Sequence, residues 1–478
     1  MGHASHAYVA VAALVQSLSR GSYPLLLVVN VILFAAACVA FRRLLVAVFP
    51  DDAHRLDRAF LTGAFVVQPA FLAAVVQPGL DLPLLPEFLW ATVLLLRGSY
   101  MAVAVLGTAM AFTKETGLLL YGVLVGTYAV WRFATADGPL KHRARTLSGL
   151  FPLVVPVIAF GAYLVYRSLS SDGPLIGTAQ GTGASFLEQL LVPRLDLYLI
   201  NFLVITLVLN FAWIPASLIG IDAFVEMVHR LHRVRRRPTE SANPRMAALI
   251  VLLCLTTAFA LSRFITYGNS RYYLATIALI PIVFLVAVHR LRVPRSARLA
   301  IVGAYGIALA ISNLRTVDPL SRAVYGTFPF GRHDLLRMTS LTGECCGAGQ
   351  DQLAYSPEFT VLHDLVDDAL HALSPGDSVA VVLPDSTSWF HIGPLDARTS
   401  RRTLRRQAVV PPRVLEVGEA IAFSGRVAPA YYLALPNGNN RKTLGRLGRV
   451  YDVGPERRFE RGGYVLSTYT LSPLARAP

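Results

Sequence analysis

Apolar and polar positions alternate along this chain in long blocks rather than singly. About ten apolar runs follow one another: Tyr23–Phe41, Phe60–Val76, Leu82–Leu96, Met101–Phe112, Leu118–Trp131, Leu150–Tyr166, Leu197–Ile221, Ala247–Phe264, Tyr272–Val288 and Leu299–Leu314. Several approach the ~20 residues that cross a bilayer as a helix, and the short ones suit tilted or half-embedded helices. The pattern predicts a mainly α, polytopic transmembrane helical bundle of about ten spans over residues 1–315. A linker rich in Gly, Pro and aromatics occupies 316–349, and the blocks then give way to mixed positions over 350–478. There, Ser356-Pro357-Glu358 is a helix start leading into Phe359–Leu373, with an N-cap serine, proline at the first position and an early acid. Strands are expected at Val379–Leu383, Arg413–Val417, Tyr431–Leu435 and Tyr464–Leu471, with a basic helix around Arg441–Val450, making a small α/β domain.

Composition agrees. With 54% hydrophobic and 15% charged residues among 478, and a mean hydropathy of +0.52, the chain has too little polar surface for a soluble protein of its size. Its charge also sorts by loop. Arg42, Arg43, Arg55 and Arg58 form one basic group; Arg132, Lys141, Arg143 and Arg145 a second. Arg230, Arg233, Arg235, Arg236, Arg237 and Arg245 form a third, and Arg290, Arg292, Arg295 and Arg298 a fourth. Loops nearly free of Lys and Arg alternate with these, so the positive-inside rule places the basic groups, with Arg97 at a tight hairpin, in the cytoplasm. Met1–Ser22, Gln77–Asp81, Thr113–Thr116, Ser168–Asp196, Thr266–Arg271 and everything after Asn313 then lie outside. The expected location is a bacterial-type plasma (inner) membrane, multi-pass, with the C-terminal domain external. The formal charge of +15 belongs mostly to this cytoplasmic collar, and basic residues scattered over short loops with no aromatic platform exclude nucleic acid as a partner.

Cys38 and Cys254 sit inside apolar runs as small hydrophobic filler, while Cys345 and Cys346 are adjacent in the external part. Two neighbouring sulfurs do not make a zinc site, and no metal is assigned to them. No cofactor is called for by any motif; a divalent metal stays open.

The orientation gathers the unexplained polar groups on the outer face. Asp81 lies between two runs in Gln77-Pro78-Gly79-Leu80-Asp81-Leu82-Pro83; Lys114 and Glu115 lie in Phe112-Thr113-Lys114-Glu115-Thr116-Gly117; Arg271 and Tyr272 lie in Asn269-Ser270-Arg271-Tyr272-Tyr273; His3 and His6 are at the amino terminus. Ionisable groups at membrane depth are costly and mark pathways, pairs or sites. Each has a duller role available: Asp81 as a helix cap, Lys114 snorkelling to the headgroups, Arg271 as an interfacial anchor. Together, cations such as Lys114 and Arg271 suit a phosphate at headgroup level, and a carboxylate such as Asp81 or Glu115 suits activation of a hydroxyl nucleophile.

Asp81-Leu82-Pro83-Leu84-Leu85, then Thr113-Lys114-Glu115-Thr116-Gly117-Leu118-Leu119, then Arg271-Tyr272-Tyr273-Leu274 opening a late run, resemble the GT-C superfamily of polytopic glycosyltransferases. The likeness is to the protein-mannosyltransferase and aminoarabinose-transferase branch and covers about residues 1–315. Gly2-His3-Ala4-Ser5-His6 stands where that branch has a Gly-His-Pro-Pro-Leu segment, without its prolines. The resemblance implies transfer of a sugar from a polyprenyl-phosphate donor to a hydroxyl on a lipid, polysaccharide or protein at the external membrane face. It implies that Asp81 and Glu115 serve catalysis, that Lys114 and Arg271 bind the donor phosphate, and that His3, His6 and Tyr272 line the site. It also implies a catalytic acid in a first external loop, upstream of Met1, so an extended form is expected to be active and the 478-residue form weak. A transporter or flippase, which would show broken helices and an inverted repeat, and a non-catalytic membrane scaffold are the rival readings.

Overall fold

A computed structural model of the chain describes residues 23–76, 81–137, 147–170, 211–231, 243–264, 270–291 and 293–313. It further describes 327–330, 333–336, 380–383, 413–422, 430–434, 440–461 and 464–474, with a few isolated positions. The chain divides into two compact units, 1–326 with 338–354, and 327–337 with 355–478.

The first unit is helical. Its helices are α1 (Tyr23–Val48), α2 (Arg55–Val66), α3 (Pro69–Val76), α4 (Asp81–Leu96), α5 (Tyr100–Thr113) and α6 (Glu115–Thr135). After these come α7 (Val155–Ser170), α8 (Trp213–Leu231), α9 (Pro244–Phe264), α10 (Leu274–Arg290) and α11 (Arg295–Ser312). Among the described residues five helices are long and apolar enough to cross a membrane, or six if α2 and α3 make one bent span. Of the ten expected spans, five or six pass on length and composition among the described residues, beside shorter apolar helices such as Tyr100–Thr113 and Phe151–Tyr166. Most of the run Leu197–Ile221 lies outside the described residues.

Two differences from the sequence reading have clear causes. The run Phe60–Val76 is broken by a 47° bend. Pro69 opens α3, where a missing N–H costs nothing, and restricts Gln68 before it. The Val67 carbonyl freed by the break accepts a hydrogen bond from Asn313 Nδ2 (2.7 Å), and Asn30 Nδ2 caps the far end at Val75 O (3.0 Å). Second, several of the basic residues lie within helices rather than in loops: Arg42 and Arg43 within α1, Arg55 and Arg58 within α2, and Arg290, Arg295 and Arg298 on α10 and α11. Long Arg stems let a helix continue while the guanidinium reaches polar surroundings.

Packing centres on α10, in which every residue from Leu274 to His289 is buried. A hydroxyl pair joins it to α9, Thr276 with Thr257 (3.2 Å), and a second joins α6 to α9, Thr127 with Thr256 (2.9 Å). In an apolar setting such pairs, with small residues, replace the hydrophobic effect as inter-helix glue. Phe41, Phe65 and Phe71 join α1 to α2 and α3, with ring centroids 4.1 and 4.6 Å apart. The α4–α5 hairpin turns at Gly98, whose φ of +74° suits glycine.

The second unit contains an antiparallel pair, β1 (Thr327–Phe330) and β2 (His333–Leu336), and a five-stranded sheet in the order β4-β3-β5-β7-β6, from β3 (Ala380–Leu383), β4 (Arg413–Glu416), β5 (Ala430–Ala434), β6 (Tyr451–Arg461) and β7 (Tyr464–Pro473). β3 is parallel to β4 and β5, and β7 is antiparallel to β5 and β6. Two short helices, α12 (Val417–Ala422) and α13 (Asn440–Leu447), pack on it through Val417, Ala420, Tyr432, Leu447, Tyr451 and Leu471. The Tyr451 hydroxyl donates to Ala420 O (2.7 Å), and burial pushes its pKa above the usual phenol value. The expected strands are present within a residue or two. β6 is an addition: its charged sequence Glu456-Arg457-Arg458-Phe459-Glu460-Arg461 hides an edge strand, where charges guard against further pairing. The expected helix Phe359–Leu373 and the Cys345-Cys346 pair lie outside the described residues.

Close approach of α5 and α6 depends on Gly117. A Cβ there would meet the Met110 carbonyl oxygen at 2.0 Å and Leu84 Cδ2 at 2.8 Å, whereas one on Gly122 meets nothing within 4 Å. Gly117→Ala is expected to destabilise the helical unit by about 1–3 kcal/mol, while Gly122→Ala leaves it unchanged or slightly firmer. Thermal unfolding of the two variants in detergent measures the difference.

Candidate functional site

Three helix beginnings meet at one end of α10. Asp81 is the first residue of α4. Lys114 precedes α6 as its N-cap in extended conformation (φ −163°, ψ 154°), a short break that turns the chain between α5 and α6. Arg271 and Tyr272 lie in the 3-10 turn Ser270–Tyr273 that leads into α10. The turn is fastened from below, because fully buried Tyr273 donates from its hydroxyl to Ser262 Oγ (3.3 Å).

The side chains converge although they are far apart in sequence. Lys114 Nζ donates to Asp81 Oδ1 at 2.6 Å, and Arg271 Nε lies 3.6 Å from Asp81 Oδ2. The Asp81 and Lys114 side chains are 9% and 12% exposed, Arg271 36%, so the pair is largely withdrawn from solvent while the guanidinium is reachable. Tyr272 is the shared platform: Lys114 Nζ sits 4.0 Å from its ring centroid and the Arg271 guanidinium carbon 5.2 Å, with Arg271 Nη2 donating to the Tyr272 hydroxyl at 3.5 Å. Such cation–π contacts are worth about 0.5–2 kcal/mol and rise with desolvation.

Chemically, the arrangement is a carboxylate held between two cations, which has the charge to hold an anion. Among the described side chains, one carboxylate and two cations leave a net positive charge, and the amino termini of α4, α6 and α10 add the positive ends of three helix dipoles. An ammonium carries three donors, of which Asp81 takes one.

Glu115 is the first residue of α6, one position past Lys114, and its side chain lies outside the described portion. His3 and His6 also fall outside the described residues. Two acids escaped the sequence reading. Glu87 lies inside α4 and accepts a hydrogen bond from Thr113 Oγ1 (3.1 Å), one layer below Lys114. Asp57, at the start of α2, is approached by His54, His289 and Arg298. A lone acid within an apolar run was the available signal for Glu87; for Asp57 its basic neighbours masked it.

The Asp81–Lys114 pair is expected to be energetically coupled. In a double-mutant cycle of Asp81→Asn and Lys114→Met, scored by unfolding in detergent, an interaction of roughly 0.5–3 kcal/mol is anticipated. Additive effects would mean that the two side chains act separately.

No protein-family profile and no curated protein matches the chain. Among solved structures the chain is similar to the crystal structure of ArnT from Cupriavidus metallidurans bound to undecaprenyl phosphate, over 96% of this chain and 86% of that one, at 14% sequence identity and a TM-score of 0.44.

Proposed function

We propose that this chain is a membrane glycosyltransferase that moves a sugar from a polyprenyl-phosphate donor to a hydroxyl of a lipid, polysaccharide or protein at the outer face of the membrane. The observation that carries the reading is the convergence of Lys114 and Arg271 on one carboxylate at three helix amino termini, beside an aromatic platform. A sugar-phosphate-lipid is a phosphodiester with a single negative charge, which matches the net charge of Asp81, Lys114 and Arg271 taken together. On transfer, the acceptor oxygen bonds to the anomeric carbon as the bond from that carbon to the phosphate oxygen breaks. The electron pair leaves with polyprenyl phosphate, now a monoester acquiring a second charge, and cations already in place stabilise that charge without reorganisation.

Asp81 has both oxygens turned to cations. Donor binding draws Lys114 and Arg271 toward the phosphate and releases the carboxylate, so Asp81 first positions the cations and then becomes available to take the acceptor proton. Glu115 is the alternative proton acceptor. The bend between α2 and α3 is the feature that favours a transporter, since broken helices carry transport sites; here its freed Val67 carbonyl is closed by Asn313.

Lys114→Ala is expected to weaken donor binding between about tenfold and a hundredfold with a smaller effect on turnover. Asp81→Asn should lower kcat on the order of a hundredfold. Both are read by radiolabelled transfer from a panel of polyprenyl-phosphate sugars. Transfer unaffected by both changes sinks the site; lipid movement across vesicles without transfer favours the transporter.

Orientation has its own measurement. In a cysteine-free background, single cysteines near Arg143 and Arg235 should react only from the cytoplasm, and those beside Asp81 or within 350–478 from outside. The reverse pattern would remove the site from the outer leaflet.

A further inference from the structure

At the opposite end of α10 lies a second polar cluster that the transfer reaction does not use. His54 ends the 3-10 turn Asp52–His54, Asp57 lies in the first turn of α2, and His289 is in the last turn of α10. All three are buried: His54 is 6% exposed, Asp57 1% and His289 4%. One oxygen, Asp57 Oδ2, is approached by His54 Nδ1 at 3.3 Å and by His289 Nε2 at 3.5 Å, and one donor atom from each residue lies within 4.8 Å of the others. The two imidazoles stand nearly perpendicular (87°), with centroids 4.6 Å apart, and Phe49 covers both rings.

Hydrogen bonding alone accounts poorly for this arrangement. Both contacts are longer than the usual 2.7–3.2 Å for an N–H to oxygen bond. Donors crowd one carboxylate oxygen, while Asp57 Oδ1 and His289 Nε2 have no hydrogen-bond partner among the described residues. Buried polar atoms are ordinarily paired, so an orphaned imidazole nitrogen aimed at a carboxylate calls for a bound group. A tetrahedral ion with bonds of 2.0–2.1 Å separates neighbouring ligand atoms by about 3.3–3.4 Å. The two measured separations fall beside that value.

We propose that His54, Asp57 and His289 form a binding site for a divalent transition-metal ion, of zinc type, that clamps the start of α2 to the end of α10. Two imidazole nitrogens and one carboxylate are a donor set for zinc rather than for magnesium or calcium, which take oxygen ligands. Three protein ligands leave a fourth position for water. Arg298, whose Nε is 3.0 Å from the same Asp57 oxygen, acts from outside the ligand set: it orients the carboxylate, and its charge opposes the ion and moderates the affinity. The site is structural, since about eighteen residues, the end of the 3-10 turn and most of α10, separate His289 from Arg271, roughly 27 Å at 1.5 Å each.

The test uses cobalt as a spectroscopic probe. The full chain, carrying Cys345→Ser and Cys346→Ser so that this adjacent thiol pair does not compete, is stripped with chelator in detergent and titrated with Co²⁺ alone. Equimolar uptake with the visible absorption of a tetrahedral ion, displaced by Zn²⁺, is expected. His289→Gln and His54→Gln should each weaken uptake by about tenfold or more. Zn²⁺ should raise the unfolding temperature of the parent and not of the variants, each first shown to unfold cooperatively without metal. Absence of a cobalt spectrum in the parent, or uptake unchanged in both variants, overturns the proposal.

Discussion

A helix without a lipid-facing side, tied by a buried carboxylate at either end, sets the geometry of the helical unit. α10 is apolar all round and buried from Leu274 to His289. A helix with one apolar stripe finds its rotation by burying that stripe, but a uniformly apolar helix has no such preference. Its rotation and height must come from polar contacts. Here these are Thr276 with Thr257 in the middle, Arg271 with Asp81 at one end, and His289 with Asp57 and Arg290 with Asp222 at the other. Each contact is specific because an unpaired polar group in this setting is costly.

The two ends differ in kind. At Asp81 the cations outnumber the acid, one of them is partly open to solvent, and three helix beginnings face the same place. At Asp57 a single carboxylate is opposed by one guanidinium and two imidazoles, all but fully enclosed, so an anionic ligand has neither access nor an excess of charge to meet. The same helix thus carries a reactive-looking end and a fastened end, separated by about the thickness of a bilayer core.

The positions of Lys114 and Arg271 rest on small residues and turns rather than on regular helix. Gly117 lets α6 approach α5 closely enough for Lys114 to reach Asp81. Tyr273 holds the turn that aims Arg271. Site geometry of this sort tolerates little error, because a charge displaced by an ångström loses much of its contact with a phosphate.

Sequence by itself determined the helical character of the first unit, the positions of its apolar segments and most strands of the second, because each follows from local periodicity and burial. Residues Asp81, Lys114, Arg271 and Tyr272 were also legible as a group, since charges flanking apolar runs are costly enough to be conspicuous. Other features came only with tertiary structure. The bend at Pro69 depends on Asn313 to close it, and the edge strand Tyr451–Arg461 depends on β7 for its pairing. Asp57 looked like one more charge in a basic stretch until α10 and α11 brought His289 and Arg298 to it. Local pattern encodes which segments are buried. Which buried atoms meet depends on the packing of helices hundreds of residues apart in the chain.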